Sequence, residues 1–279
     1  MSSSPPPLSV LIAGSGAVRA HPTRGGPCYA VRLGERNLVF DCGRLAVHNL
    51  SRFDLAVETI TDVFITHLHF DHICDLPLLL LLSWNNGRTR RLPVTGPKGI
   101  ADFLEHGLRQ AYAHDIKSRT AHGKNADYLE WTVKELSSEG VCDATDGSVI
   151  DTLITKHGGL LNFNYRLRSG GRTVVIMSDS EPDPRIVDFC RDADLVLIEC
   201  SGTKEFYATV PWGSWHATPE QVGEMMRDAG AKQVVLKHLV IESFRNNDPQ
   251  VSEAMAATVR KIHPGGKIHV AADGMTFDL

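Results

Sequence analysis

Three imidazoles and a carboxylate fall within six positions, His67-Leu-His69-Phe-Asp71-His72. A core does not hide that many polar groups without a partner. Neutral imidazole nitrogen and carboxylate oxygen are the donors that zinc, iron and manganese accept. The apolar run Val63-Phe64-Ile65 just before them reads as a buried strand. In extended backbone His67 and His69 project to the same side, so they can chelate one metal. Asp71 and His72 follow where the chain turns into a helix and face a neighbouring position. The spacing therefore predicts two metals side by side. Cys74, two residues after His72, adds a soft ligand as an option.

The elements that must position this cluster alternate along the chain. Strands are predicted at Leu8–Ile12, at Cys28–Leu33 and Asn37–Phe40 as a hairpin, at 92–95, 150–156, 163–168, 173–177, 195–198 and Gln233–Lys237, and at Lys267–Val270. Amphipathic helices are predicted over 44–50, 100–113, 219–229 and around 250–262. Residues 114–149 are polar and poorly periodic and read as a variable surface segment, with strand candidates near 130–135. Gly14-Ser-Gly16 follows a strand but lacks the third glycine and the helix of a dinucleotide fingerprint, so it reads as a glycine-rich loop near the site. Strand after strand ends in an acid or a histidine: Asp41, His67, His157, Asp179, Glu199 and His238. In α/β folds ligands sit at that edge of the sheet. The two halves look alike, which predicts two sheets packed face to face with helices outside, one domain over residues 8–279.

Composition sets the outer limits. The 279 residues are 42% hydrophobic and 22% charged, as in an ordinary globular protein. A net charge of −4 is not the footprint of a dedicated nucleic-acid binder. The one basic spot, Arg88-Thr-Arg90-Arg91, reads as a solvated loop. Leu76–Leu82 is the most apolar stretch, yet a bilayer needs about 20 residues, so it reads as a helix buried on most sides. Residues 1–7 carry no basic and apolar leader pattern and are expected to form a flexible tail. The six cysteines form no Cys-x-x-Cys pair, and reduced thiols in a cytoplasm are expected.

The motif resembles the His-x-His-x-Asp-His signature of the metallo-β-lactamase superfamily, preceded by its usual Thr66, and the likeness covers nearly the whole chain. Asp41 in Phe-Asp-Cys-Gly, His157, Asp179 and His238 match the family's other motifs. His216-Ala-Thr-Pro-Glu-Gln, 22 residues before His238, resembles the ribonuclease Z and arylsulfatase branch. The resemblance implies an α/β fold, the four-layer αβ/βα sandwich. It implies that His67, His69 and His157 hold one metal, that Asp71, His72 and His238 hold a second, and that Asp179 bridges them. Two divalent ions are implied, zinc first, with iron or manganese as alternatives. Such ions would supply an acidified water and charge stabilisation for the developing oxyanion. Asp71 would orient that water, His216 would protonate the leaving oxygen, and Asp41 and Glu199 would fix imidazole tautomers from behind. A homodimer is implied as well. His21 and His122 are the unassigned histidines expected to be able to reach a pocket.

The chain also departs from that pattern. Members that process transfer RNA carry an arm between the histidine corresponding to His157 and the bridging aspartate; here residues 158–178, 21 in all, leave room for one hairpin. Ser178 stands where a glycine usually precedes the bridging aspartate, and Lys237 where a threonine usually precedes the last histidine. Phe70, Trp84, Trp212 and Trp215 suggest an aromatic-walled pocket. The expected function is hydrolysis of a small-molecule ester, phosphodiester, sulfate ester or lactone, with nucleic acid and membrane not expected as partners. The alternative is a dinuclear non-haem iron oxygenase acting on a small organic substrate. An RNA-processing endonuclease ranks third.

Overall fold

The computed structural model describes residues 7–279, so the expected tail lies outside the described residues except for Pro7. Strands β1 (Leu8–Gly14), β2 (Cys28–Leu33), β3 (Arg36–Phe40), β4 (Asp62–Phe64), β5 (Leu92–Pro97) and β6 (Trp131–Leu136) form one sheet, completed by the last strand of the chain. The other sheet contains β7 (Gly140–Asp143), β8 (Val149–His157), β9 (Leu160–Ser169), β10 (Arg172–Ile176), β11 (Leu195–Glu199), β12 (Gln233–Lys237) and β13 (Lys267–Val270). The closing strand, β14 (Thr276–Asp278), pairs with β1. The strand orders are β14-β1-β2-β3-β4-β5-β6 and β13-β12-β11-β10-β9-β8-β7. In each sheet one half pairs antiparallel and the other parallel. The expected likeness of the halves is this repeated design.

Period-two alternation divides the side chains of each strand between two faces. On β12, Val234 and Leu236 join the outer core under the helices Pro219–Ala229 and Pro249–Ile262, while Val235 joins the core between the sheets. On the opposite side, helices Ala46–Arg52 and Leu76–Asn85 cover the first sheet. Helix, sheet, sheet, helix gives the four layers. Phe40, Phe64 and Tyr165 pack at 5.0–5.5 Å between ring centroids in the middle. The Tyr165 hydroxyl donates to the Ile65 carbonyl at 2.7 Å and the Phe163 N–H to the Thr66 carbonyl at 2.9 Å. The second sheet thus grips the first at the two residues before His67.

Several elements differ from expectation. The predicted helix over 100–113 is an α-helix over Ile100–Leu104 that widens into a π-type stretch over Glu105–Gln110. The segment read as irregular contains a helix, Ala113–Ala121, with no buried residue, while the strand expected near 130–135 is present as β6. Helix Leu76–Asn85 buries Leu76, Leu79 and Leu80, but Leu78 and Leu82 are exposed. Arg88 is not part of a solvated loop: it is 2% exposed and donates to the carbonyls of Leu80, Leu129, Glu130 and Arg90. It ties the end of that helix to the strand beyond, and burial, then Arg90, pull its guanidinium down to about 10. No helix among the described residues is long and apolar enough to cross a membrane. All six cysteines are unpaired; Cys74 is exposed and the others are buried.

Trp84 does not wall a pocket. It is 1% exposed inside the core of the first sheet, with its indole N–H donating to the Asn125 carbonyl at 2.8 Å. Trp84→Ala should therefore cost about 3–5 kcal/mol of stability through the cavity it leaves. Denaturant unfolding should show that loss, while KM for any substrate stays unchanged; a KM effect at retained stability would return Trp84 to the site.

Candidate metal centre

Every residue singled out at a strand end arrives at one edge of the two sheets. His67 and His69 follow β4, His157 ends β8, Asp179 follows β10, Glu199 ends β11 and His238 follows β12. Asp71 and His72 lie in the one-turn helix Phe70–Ile73. Backbone packing fixes that turn: a Cβ on Gly43 would sit 2.0 Å from the Asp71 carbonyl oxygen, so only glycine lets the two segments meet. Asp41 (φ 58°) and His238 (φ 58°) adopt left-handed backbone, which is uncommon for non-glycine residues and most open to Asn, Asp and His. The His238 N–H donates to the Ser15 carbonyl at 3.1 Å, so the glycine-rich loop after β1 does abut the site.

Four overlapping groups of donor atoms result among the described residues: two triplets without Asp179, and two that Asp179 completes, one with His67 and His72 and one with Glu199 and His238. His69 Nδ1 lies 2.9 Å from His67 Nε2 and 3.3 Å from His157 Nε2. His238 Nε2 lies 3.4 Å from Asp71 Oδ2, and His72 Nε2 3.8 Å from the same oxygen. Asp179 Oδ2 stands between the two triplets that lack it, 3.0 Å from His238 Nε2, 3.3 Å from His72 Nε2 and 4.0 Å from His157 Nε2. His67, His69 and His157 form one potential metal-binding triplet and Asp71, His72 and His238 another, each with its donor atoms within 4.8 Å of one another. Cys74 belongs to none of the groups, and neither His21 nor His122 lines the adjoining cavity.

The hydrogen bonds behind the rings show whether these residues fit cations. The Thr66 hydroxyl donates to Asp41 Oδ2 at 3.0 Å and the Ser178 hydroxyl to Asn162 Oδ1 at 2.5 Å. Both oxygens also face His67 Nδ1, at 3.0 and 3.2 Å. With both hydroxyl protons already committed, Nδ1 must carry the ring proton, and Nε2 presents a lone pair. His157 Nδ1 donates to the Trp215 carbonyl at 3.3 Å, His72 Nδ1 to Asp41 Oδ2 at 2.8 Å and His238 Nδ1 to the Ser201 hydroxyl at 2.9 Å. Each ring therefore turns its second nitrogen inward, the arrangement that metal-ligating histidines show. Burial pushes His67, His69 and His157 down, towards neutral imidazole. Burial is outweighed at His72 by Asp41 and Asp179, and at His238, raised to about 9, by Asp179. The acidic side thus demands positive charge and the other side offers lone pairs. Both fit divalent metal ions.

His216 stands apart from the two triplets. Its Nδ1 donates to Glu199 Oε2 at 2.6 Å, which leaves Nε2 as its free nitrogen. Burial would lower His216, but Glu199 outweighs it and raises the imidazole; Glu199, in turn, is lowered by His216 against its own burial. Glu199 is held from behind by the Ser180 N–H at 2.9 Å and the Ser201 hydroxyl at 3.1 Å. Ser201 and Tyr207, whose ring stacks on His216 at 5.8 Å and 16°, were missed in the sequence. Ser201 lies two residues after Glu199, on the same face of the extended chain, which is the signal that could have found it. A cavity of about 240 Å³ opens over both triplets and His216, walled by Phe70, Trp212, Trp215, Val18 and Val240. Three of the four expected aromatic residues are there.

Known proteins share this fold. A family model described as the beta-lactamase superfamily domain matches residues 36–239. The ribonuclease Z of Mycobacterium bovis is 28% identical over 276 residues, covering 94% of this chain and 97% of that protein. Among solved structures, the metallo-beta-lactamase fold protein YhfI from Bacillus subtilis superposes with a TM-score of 0.76 at 20% identity, covering 98% of this chain and all of that one. Human tRNase Z, short form, does so with 0.74 at 21%, covering 96% and 98%. The chain belongs to the metallo-β-lactamase superfamily and resembles its ribonuclease Z branch.

Proposed function

We propose that the protein hydrolyses a small phosphodiester, ester, sulfate ester or lactone at a centre of two divalent metal ions, zinc by preference. His67, His69 and His157 would hold one ion, Asp71, His72 and His238 the other, with Asp179 shared. When bound, such ions polarise the scissile group and acidify water near neutral pH. The observation that carries the reading is the His216–Glu199 pair, 2.6 Å apart, opening into the same cavity as the two triplets. Glu199 holds the imidazole in the tautomer that frees Nε2 and favours its protonated form, so His216 can deliver a proton to a leaving oxygen. Asp71 faces the cavity and can orient the attacking water. An oxygenase has no evident need of such an acid, which supports hydrolysis.

The substrate's size is argued from the walls. Residues 158–178 are taken up by the turn Gly158-Gly159, β9 and β10, so nothing in them extends into an arm. The cavity is small and lined with aromatic rings, which suits a compact, partly apolar substrate. The similarity to ribonuclease Z supports RNA processing as the second reading. Zinc- and manganese-loaded protein should be assayed with 4-nitrophenyl esters, bis(4-nitrophenyl) phosphate, a 4-nitrophenyl sulfate, a lactone and a transfer-RNA precursor, with oxygen uptake followed in parallel. Turnover of a small substrate without oxygen consumption is expected. Turnover of the RNA alone would reverse the substrate reading, and oxygen uptake would reverse the reaction class.

Phe70 tests the wall directly. It is 62% exposed at the cavity rim, so its loss leaves the fold alone. Phe70→Ala should raise KM for aryl substrates about tenfold, the worth of a partly buried aromatic contact, with kcat little changed. An unchanged KM would remove the ring from the binding surface.

A further inference from the structure

Lys237 is the residue that the site described above does not use. Its position on β12 is paired with Glu199 on β11, and the alternation that turns Val235 inwards places Lys237 between the sheets beneath the metal centre. The side chain is 0% exposed, and its Nζ has no hydrogen-bond partner. It lies 3.7 Å from Asp179 Oδ1, itself buried without a hydrogen bond, and 5.3 Å from the centroid of the Tyr29 ring. Asp179 is therefore divided. Oδ2 faces the imidazoles of both triplets, and Oδ1 faces an ammonium.

A buried ammonium is expensive unless a negative charge answers it. Here four carboxylates, Asp41, Asp71, Asp179 and Glu199, are buried around the centre. We propose that Lys237 is a built-in counter-cation of the metal centre. It holds Asp179 through Oδ1 so that Oδ2 alone turns to the metals, and its charge lowers the affinity of the centre for divalent ions. In the metal-free protein the same charge offsets repulsion among the carboxylates, so the chain folds before it is loaded. Like charges at this range inside a protein are poorly screened, so the penalty on a doubly charged ion is substantial. The inference rests on the metal-centre reading of the preceding subsection.

The sign of the effect separates this role from a purely structural one. A lysine that only props up Asp179 would, when removed, weaken metal binding; a counter-cation, when removed, strengthens it. Zinc should be titrated into chelator-stripped protein against a chromogenic chelator for the wild type and for Lys237→Met, Lys237→Gln and Lys237→Arg. The Gln variant keeps a neutral donor, one atom shorter than lysine, should the Met variant not fold. The Met and Gln variants should bind zinc at least about tenfold more tightly, and Arg should stay within about threefold of wild type. The gap in Tm between zinc-loaded and metal-free protein should widen in the neutral variants, since tighter binding stabilises more. Equal or weaker zinc binding by folded neutral variants overturns the role of Lys237 alone. No zinc binding by the wild type overturns the metal centre, and this inference with it.

Discussion

Asp179→Asn should abolish turnover, by about a thousandfold or more, and take the bound metal below the wild-type complement while the chain stays folded. The geometry makes this carboxylate the costliest one to neutralise. Its Oδ2 is the one oxygen near both triplets, 3.0 Å from His238 Nε2 and 4.0 Å from His157 Nε2. Burial alone would raise its pKa, yet His238 and His72 hold it well below the ordinary carboxylate range, so it is ionised in place. Asparagine preserves shape and one acceptor for Lys237 but removes the charge both ions would share. Metal-assisted charge stabilisation contributes several kcal/mol to such reactions, which corresponds to the expected loss in rate. Elemental analysis of the dialysed variant, with a thermal melt to verify folding, would check it. Full metal content with turnover within tenfold of wild type would make Asp179 a partner of Lys237 and no more.

What could be read from the sequence follows from how abruptly a signal interrupts its surroundings. Val63-Phe64-Ile65 and Val234-Val235-Leu236 are apolar runs that stop at polar residues, and strand geometry carries those stops to one edge. His67, His157, Asp179 and His238 were legible for that reason. Helix Ala113–Ala121 was not: it buries no residue, so it has no apolar stripe to show. The three residues of β14 are too short for a periodicity. Trp84 and Trp215 are the same residue type, and type alone cannot distinguish a core ring from a wall. Arg88 looked solvated because most of its partners are backbone carbonyls, which the sequence does not mark. The loop Gly14-Ser-Gly16 was expected near the site, but the sequence did not mark the Ser15 carbonyl as the group that anchors His238.

His216→Ala should lower kcat by about a hundredfold to ten-thousandfold, the usual worth of a positioned general acid, while keeping the full metal complement. Its Nε2 is absent from both metal-binding triplets, and its Nδ1 is engaged by Glu199. The loss should depend on the leaving group. A 4-nitrophenolate departs readily without a proton, so its hydrolysis should fall only slightly; an alkoxide needs protonation, and its release should collapse. Glu199→Gln should reproduce part of the effect, because glutamine still fixes the ring but withdraws the charge that favours its protonated form. Kinetics on paired aryl and alkyl substrates, with metal content measured on the same samples, would separate the possibilities. An equal loss on both leaving groups would mean that His216 binds or positions substrate. Loss of metal would mean that it is a ligand after all, and the proton would then have to come from water or from Asp71.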